Sequence, residues 1–211
     1  MTSSASKQRR DQIKQIDDGR KRYFDPRFGK VSVRVLPGEH YVTDSPDEMI
    51  VTVLGSCISA CIRDPETGIG GMNHFMLPTS DTGQWGDVSA AMRYGNYAME
   101  VLINDLMRRG ARRQTLEIKV FGGAHVGVMN SDVGEKNIRF VKSYLADEGF
   151  RPAAADVGGS NPRRIHYFPA DGKVKRLALK QIEGTELRHQ EQAYRSSIRG
   201  ADVGGDVELF D

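Results

Sequence analysis

Residues 50–78 decide the fold, and they read Ile-Val-Thr-Val-Leu-Gly-Ser-Cys-Ile-Ser-Ala-Cys-Ile-Arg-Asp-Pro-Glu-Thr-Gly-Ile-Gly-Gly-Met-Asn-His-Phe-Met-Leu-Pro. The β-branched run at 50–54 predicts a buried strand. Gly55 and Ser56 end that strand, because both residue types favour turns over extended backbone. Cys57 therefore stands directly after a turn made of small residues.

A hairpin-like unit follows this turn. A strand is predicted over residues 58–62, a turn over 64–68 and a further strand over 69–77. Cys57 stands seven residues before the turn begins, and His74 stands six residues after it ends. These comparable distances allow the two side chains to lie together on neighbouring strands.

The rest of the chain alternates between strand and helix patterns. Further strands are predicted at 31–35, 116–121, 153–157, 164–168 and 173–179, and helices at 88–109, capped by Asp87, and at 132–149. A helix with one apolar face must bury it against another element. The predicted fold is therefore a mixed α/β domain with helices packed on sheets.

Composition and charge narrow the class of protein. The chain has 211 residues, of which 38% are hydrophobic and 27% charged, as is ordinary for a globular protein of one domain. A net charge of +2 gives no reason to expect nucleic acid as a partner. No apolar run approaches the roughly 20 residues of a membrane span, and no secretory signal pattern is seen. With two cysteines, we expect a cytoplasmic protein with reduced thiols.

Two polar extensions flank the predicted domain, which spans residues 31–182. Residues 1–30 form a basic extension, whose first 22 residues contain seven basic and three acidic side chains. Residues 183–211 form an acidic tail with seven acidic and three basic side chains. Termini of this composition are usually solvated, although the basic arm has the charge to dock an acidic partner.

Cys57 and His74 are the candidate catalytic pair. A thiol needs thiolate character to attack a carbon atom, and a neighbouring imidazole supplies it by taking the proton. The Thr52 hydroxyl is placed to orient that imidazole as the third member of a triad. Gly55 and Ser56 let a substrate approach the backbone, whose N–H groups can stabilise an oxyanion. By residue type alone, a buried structural cysteine is the commoner alternative.

A shared metal site is the competing interpretation of Cys57, Cys61 and His74. Four residues along one strand separate the two cysteine Cα atoms by roughly 13 Å. Zinc thiolates need their sulfur atoms within about 4 Å of each other, so the strand prediction disfavours a shared metal and also a disulfide. Cys61 is therefore expected in the core.

The four remaining histidines are weaker candidates. His125 follows Gly-Gly-Ala and is expected at the surface or in packing, with a position lining a cleft as the alternative. His166 alternates with apolar residues in a predicted strand and is expected to be structural. His40 and His189 lie in polar surroundings and are expected to be solvated.

Five motifs stand out together: Leu-Gly-Ser-Cys at 54–57, Gly-Gly-Met-Asn-His-Phe-Met-Leu-Pro at 70–78, Phe-Gly-Gly-Ala at 121–124, Gly-Glu-Lys-Asn-Ile at 134–138 and Asp-Val-Gly-Gly at 156–159. In combination they resemble CheD, the chemoreceptor glutamine deamidase family of bacterial and archaeal chemotaxis. The resemblance covers roughly residues 31–179. The seventeen-residue step from Cys57 to His74 also matches that of the family.

The resemblance implies a layered αβ sandwich similar to the catalytic fold of CheD and the cytotoxic necrotizing factor toxins. Cys57 maps to the nucleophile of the family, His74 to its base and Thr52 to its third member. The implied reaction converts receptor glutamine side chains to glutamate through a cysteine thioester, and it releases ammonia without a metal or organic cofactor. The implied partners are chemoreceptor cytoplasmic helices and a CheC-type phosphatase.

Two other functions remain open from the sequence. Because members of the family bind CheC-type phosphatases and receptors, the second hypothesis is a chemotaxis adaptor with little catalysis. The third is a papain-like or peptidoglycan amidase thiol hydrolase that uses the same Cys57 and His74 pair. A peptidoglycan substrate predicts export, and no signal pattern is visible.

Overall fold

The computed structural model describes residues 21–78, 85–126, 132–179 and 184–199. Within these ranges the strands are β1 (Arg22–Asp25), β2 (Lys30–Arg34), β3 (His40–Thr43), β4 (Glu48–Leu54), β5 (Ile58–Arg63), β6 (Gly70–Asn73), β7 (Glu117–Gly122), β8 (Ala154–Val157), β9 (Arg163–Phe168) and β10 (Lys173–Ala178). The α-helices of the same ranges are α1 (Trp85–Arg108), α2 (Val133–Asp147) and α3 (Gly184–Arg199). The short strands and intervening turns follow the apolar runs and Gly-rich breaks of the sequence.

The described strands form two sheets of five strands each. Sheet A has the order β1-β2-β4-β9-β10, and sheet B has the order β3-β6-β5-β7-β8. Two neighbouring pairs are parallel, β2 with β4 and β7 with β8. A parallel pair needs a long crossover, which α2 supplies between β7 and β8. The chain from β4 to β5 passes from sheet A to sheet B, so the turn at 55–57 lies where the two sheets meet.

The central strand β5 has a core on each face. Its residues Ile58, Ala60 and Ile62 belong to a core that α1 and α2 complete on the outer side of sheet B. Cys57 and Cys61 face the other way and join a core made with residues of sheet A. Burial on both faces explains why this strand is an almost continuous apolar run. Sheet A, sheet B and the helices α1 and α2 form three layers, which confirms the predicted layered α/β arrangement.

The strands predicted at 50–54 and 58–62 are confirmed as β4 and β5, but the strand predicted at 69–77 is shorter. β6 ends at Asn73. The N–H of His74 then donates to the Glu39 carbonyl (2.9 Å), and Phe75 pairs again with Ile58 through an isolated bridge. His74 therefore lies just beyond the regular ladder, next to the chain that enters β3.

Both predicted helices are confirmed, but the first one starts earlier than predicted. α1 begins at Trp85 rather than at residue 88, so Asp87 lies inside its first turn and does not precede it. Gly110 follows the end of α1 with φ 105°, the left-handed conformation for which glycine is suited. No helix of the described residues is long and apolar enough to cross a membrane.

The folded part of the chain reaches beyond residues 31 and 182 on both sides. β1 pairs with β2 from Arg22 onwards, so sheet A starts earlier than expected. Residues 1–20 lie outside the described part. The acidic tail contains α3, in which Tyr194 packs on the core between the sheets and Ile198 is buried. The average composition of the two extensions does not reveal β1 and α3, because a few side chains attach these elements to the rest of the protein.

Candidate active site

The turn at residues 55–57 is held from behind through its carbonyl groups. All three accept hydrogen bonds: Cys57 from the Gly123 N–H (2.7 Å), Gly55 from the Ala124 N–H (2.7 Å) and Ser56 from Nδ2 of Asn137 (2.8 Å). The N–H of a trans peptide group points opposite to its carbonyl, so the N–H groups of Ser56 and Cys57 point away from this support. Donors fixed in this way need no reorganisation when negative charge develops in front of them.

Those N–H groups converge on the carboxylate of Glu191, which arrives from α3. The N–H of Gly55 lies 3.0 Å from Oε1, that of Ser56 3.4 Å from Oε2 and that of Cys57 3.5 Å from Oε1. The Ser56 hydroxyl donates to Oε2 at 2.8 Å. The sequence predicts oxyanion donors at this turn, and here they surround an anion. Glu191 was missed, since in the sequence it is one acidic residue among seven in a polar tail.

His74 is held by Thr52 across the two sheets. Oγ1 of Thr52 lies 2.8 Å from Nδ1 of His74 and 2.8 Å from the carbonyl oxygen of Val35. A hydroxyl has one proton to donate, and a carbonyl only accepts. The hydroxyl proton therefore goes to Val35, and Nδ1 of His74 carries the proton that the hydroxyl accepts. Thr52 thus fixes both the orientation and the tautomer of the imidazole.

This tautomer leaves a lone pair on Nε2 of His74. Nε2 is buried and has no hydrogen-bond partner among the described residues. Burial lowers the pKa of His74 from 6.5 to about 3, because desolvation disfavours the charged imidazolium. The imidazole is neutral at ordinary pH, which is the state that a general base requires.

The strand register places Cys57 and His74 on the same face of sheet B. β5 and β6 are antiparallel, with Cys61 opposite Met72, and the bridge from Ile58 to Phe75 continues the same register. Continued by one residue, this register places Cys57 opposite the second residue after His74. Cys57 and His74 are therefore diagonal neighbours. Diagonal neighbours have Cα atoms about 7–8 Å apart and side chains that project to one face. The predicted juxtaposition agrees with this register.

The thiol of Cys57 is in its protonated form in this arrangement. Its side chain has 0% exposure. Burial raises the pKa of Cys57 well above its ordinary value, and the charge and hydrogen bond of the Glu191 carboxylate raise this pKa further. A thiol with a raised pKa is a poor nucleophile. In this conformation the thiol is therefore not activated, and Nε2 of His74 makes no hydrogen bond to it.

Asn137 joins the two segments that carry Cys57 and His74. Its Nδ2 donates to the Ser56 carbonyl at 2.8 Å, and its Oδ1 accepts from the Leu77 N–H at 2.9 Å. The side chain is fully buried, and the bond from the Leu77 N–H is shielded from water. The sequence gives no signal for this role, because an asparagine inside a helix normally faces solvent.

Other candidate residues lie apart from this constellation. Cys61 is buried and, like Cys57, is a free thiol. Among the described residues, no three His, Cys, Asp or Glu side chains are grouped so that they could hold a metal ion. His166 is buried and packs on Phe28, with ring centroids 5.2 Å apart. His125 is exposed and lines a cavity of about 610 Å³.

The two polar histidines differ from one another. His189 is exposed on α3, as expected. His40, expected to be solvated, is only partly exposed, and its Nε2 lies 3.4 Å from the Asp105 carboxylate of α1. Neither residue is among the contacts that hold the turn at 55–57.

The fold and the site define a class of protein. A buried thiol behind a turn of fixed N–H donors, on the same sheet face as a neutral imidazole oriented by a hydroxyl, is typical of thiol hydrolases. The family described as CheD chemotactic sensory transduction matches residues 76–177. The match begins two residues after His74, so the Cys57 and His74 pair precedes it.

Full-length relatives extend the comparison over that pair. Two proteins named "Probable chemoreceptor glutamine deamidase CheD" are similar to most of this chain. The one from Rhodopseudomonas palustris (strain BisA53) is 52% identical, covering 92% of this chain and 91% of its own. The one from Herminiimonas arsenicoxydans is 51% identical, covering 89% and 93%. The chain belongs to the CheD family.

One solved structure is weakly similar to this chain. The Bacillus licheniformis hypothetical protein YfiH covers 76% of this chain and 46% of its own at 13% identity, with a TM-score of 0.29. A likeness of this size has no bearing on the fold or the site.

Proposed function

We propose that this chain is a chemoreceptor glutamine deamidase in which Cys57 is the nucleophile, His74 the general base and Thr52 the residue that positions His74. The observation that carries the proposal is the cradle of N–H groups at 55–57, fixed from behind and directed at a carboxylate. The names of relatives about half identical to this chain supply the substrate class. Receptor glutamine side chains present the carboxamide that this chemistry needs.

The first half of the reaction forms a thioester. Nε2 of His74 takes the thiol proton of Cys57, and the thiolate attacks the carbon of the substrate carboxamide. The carboxamide oxygen becomes an oxyanion that the N–H groups at 55–57 stabilise. When the intermediate collapses, the C–N bond breaks, and the imidazolium gives its proton to the departing ammonia. The acyl group remains bonded to Cys57.

The second half hydrolyses the thioester. Neutral His74 takes a proton from water as the water oxygen attacks the thioester carbon. The C–S bond then breaks, the protonated imidazole returns a proton to the Cys57 sulfur, and the substrate leaves as glutamate. The sum is carboxamide plus water giving carboxylate plus ammonium. This sequence of steps uses no metal and no organic cofactor.

The proposed partners and setting follow from membership of the CheD family. Chemoreceptor cytoplasmic helices present the glutamines, and a CheC-type phosphatase is a second partner in the same pathway. The cytoplasm is where those receptor regions lie, so we place the chain there. The catalytic unit comprises residues 31–182 together with β1, which adds an edge strand to sheet A.

One observation favours the adaptor as a second function. Cys57 has no exposed surface and its pKa is raised, so the thiol is not ready for turnover in the conformation described here. An adaptor would keep its receptor affinity and its chemotaxis phenotype after Cys57→Ala. A deamidase would keep the affinity and lose the phenotype.

The test is ammonia release from purified receptor cytoplasmic fragments, with the modified glutamines mapped by mass spectrometry. The wild-type chain is compared with Cys57→Ala and His74→Ala, and Cys61→Ala is the matched control because it removes the other buried thiol. We expect release by the wild type and by Cys61→Ala only. Release by Cys57→Ala at the wild-type rate would defeat the proposal. Binding without release by any variant would leave the adaptor function.

A further inference from the structure

The C-terminal helix α3 places a glutamate side chain inside the candidate active site. The Glu191 carboxylate accepts hydrogen bonds from the N–H groups of residues 55–57 and from the Ser56 hydroxyl. Its side chain is 7% exposed although it belongs to a polar tail. A carboxylate buried this deeply needs several donors to replace the water it loses, and this turn supplies them.

The fit between the carboxylate and the turn is close. A Cβ atom added at Gly55 would lie 2.7 Å from Oε1 of Glu191, so a larger residue here would displace the carboxylate from its present place. The donors that surround Glu191 are those that would hold the oxygen of a substrate carboxamide. Deamidation of a glutamine on a helix leaves a glutamate on a helix. Glu191 on α3 therefore has the chemistry and the setting of the reaction product.

The helix also closes the site. With α3 in place Cys57 has no exposed surface, and a substrate helix cannot reach its sulfur. Burial of the thiol and the carboxylate charge beside it both work against thiolate formation, which agrees with the raised pKa of Cys57. A chain with Glu191 seated in the cradle therefore can neither bind nor attack a carboxamide.

Few of the described side chains of α3 are buried. Among its described side chains, only Glu191 and Ile198 are buried, while the ring of Tyr194 covers Gly38 and its hydroxyl meets that of Tyr94. The remaining described side chains are exposed or half-buried. Of the contacts described for α3, the hydrogen bonds of Glu191 are those that the side chain of a competing helix can replace. A competing helix that brings its own side chain to the cradle can displace it.

We propose that α3 is an intramolecular competitor of the substrate helix, with Glu191 occupying the subsite for the glutamine carboxamide and keeping Cys57 unreactive until α3 leaves. This inference rests on the proposed function for the identity of the competing helix. It assigns Ser56 as a specificity residue, because its hydroxyl binds one oxygen of the group in the subsite. It also implies that the basal rate of deamidation depends on the fraction of chains in which α3 has left the site.

The first test measures whether α3 shields the thiol. The alkylation rate of Cys57 by iodoacetamide is compared in the wild type, in Glu191→Ala and in Gln192→Ala, an exposed neighbour on the same helix that serves as the matched control. We expect Glu191→Ala to react at least about tenfold faster, because the thiol gains access to solvent and loses the neighbouring carboxylate charge that raises its pKa. Equal rates in all three chains would overturn the inference.

The second test uses the near-isosteric change Glu191→Gln, which places a carboxamide in the cradle. If Glu191 marks the substrate subsite, Cys57 converts the introduced carboxamide back to a carboxyl group, with one ammonia released per chain. Mass spectrometry detects the change, and the exposed Gln192 in the same peptide stays unmodified as an internal control. The double variant with Cys57→Ala keeps the carboxamide. Persistence of the carboxamide in a chain with an intact, reactive Cys57 would refute the subsite assignment.

Receptor fragments separate this inference from the proposed function. We expect Glu191→Ala to release ammonia from them faster than the wild type and Gln192→Ala. If all three release ammonia at one rate and alkylate at one rate, the inference fails and the proposed function stands. If Glu191→Ala alkylates faster but no chain releases ammonia from any receptor fragment, the proposed function fails and the shielding by α3 stands.

Discussion

The Thr52 hydroxyl lies 2.8 Å from Nδ1 of His74, and this contact joins β4 of sheet A to the segment that follows β6 of sheet B. The same hydroxyl donates to the carbonyl of Val35, so its acceptor side faces the imidazole. The orientation of the base is therefore set by the packing of one sheet on the other. A change that moves the sheets apart will therefore also disturb this contact.

Replacing Thr52 tests this contact. Thr52→Val keeps the shape but removes the hydroxyl, leaving the Nδ1 proton of His74 and the Val35 carbonyl unpaired in the interior. We expect a loss of about 1–3 kcal/mol in the free energy of unfolding. We also expect kcat to fall, but by less than the roughly 10²–10⁴-fold that loss of a general base would cost, because the imidazole remains present. Urea unfolding and steady-state ammonia release measure the two effects.

Thr52→Ser is the control for this prediction. It keeps the hydroxyl and removes one methyl group, so it should retain most of the activity while losing a little stability. Equal activity of the Val and Ser variants would show that Thr52 does not position His74.

Replacing His74 tests the pH dependence of stability. Its pKa is about 3 in the folded chain and 6.5 in an exposed reference, so between these values the unfolded chain binds a proton that the folded chain does not. Stability must therefore rise with pH in this window and fall as the pH drops from 6.5 towards 3. The slope contributed by this one group is at most about 1.4 kcal/mol per pH unit.

The measurement is urea unfolding at pH 7 and pH 5 for the wild type and His74→Gln. We expect the wild type to lose more stability than the variant between the two pH values. His166→Gln is the comparison, since burial also lowers the pKa of His166 and its removal should give a change of the same sign. Parallel losses in the wild type and His74→Gln would contradict the prediction.

Asn137 is predicted to hold the active-site segments in register. Asn137→Ala leaves the Ser56 carbonyl and the Leu77 N–H without these partners, at a cost of about 1–3 kcal/mol for each buried group. The exposed Asn104→Ala on α1 is the matched control and should change stability by less than about 0.5 kcal/mol.

The variant Asn137→Asp separates stability from function at this position. It keeps the acceptor for Leu77 but replaces the donor to Ser56 with a charged oxygen, which repels the carbonyl. We expect kcat to fall at a temperature where the variant is still folded by circular dichroism. If a folded Asn137→Asp chain keeps an unchanged kcat, Asn137 is not a positioning residue.

Gly122 is predicted to be required behind the nucleophile. It has φ 115°, and a Cβ atom added there would overlap the carbonyl oxygen of Cys57. Gly149 also has a left-handed φ of 74°, but an added Cβ would meet nothing within 4 Å. Gly149→Ala should therefore cost only the backbone strain of roughly 1–2 kcal/mol.

Gly122→Ala should cost more than Gly149→Ala and should lower the alkylation rate or the activity of Cys57 in whatever fraction remains folded. Thermal unfolding of both variants gives the comparison. Equal destabilisation would mean that the overlap with Cys57 is relieved without cost, and that Gly122 does not support the turn.

The sequence predicts the local parts of this protein well. The strands at β4 and β5, the turn between β5 and β6 and the position of Cys57 after a Gly-Ser break all follow from short-range patterns. The hairpin also predicts that Cys57 and His74 share a sheet face, because an antiparallel pair with a known turn has a known register. The sequence does not predict that β6 ends before His74, because the N–H of His74 bonds to Glu39, which lies in a different segment.

What the sequence determined by itself is the list of chemical groups and the local elements that carry them: a thiol after a turn of small residues, an imidazole one hairpin away and a hydroxyl on the preceding strand. Only the tertiary structure decided that Asn137 clamps this turn, and that Glu191, 134 residues beyond Cys57, fills the cradle of N–H groups. The physical reason is that periodicity and turn propensity act over a few residues. Contacts between distant segments depend on how sheets and helices pack, which no local pattern encodes.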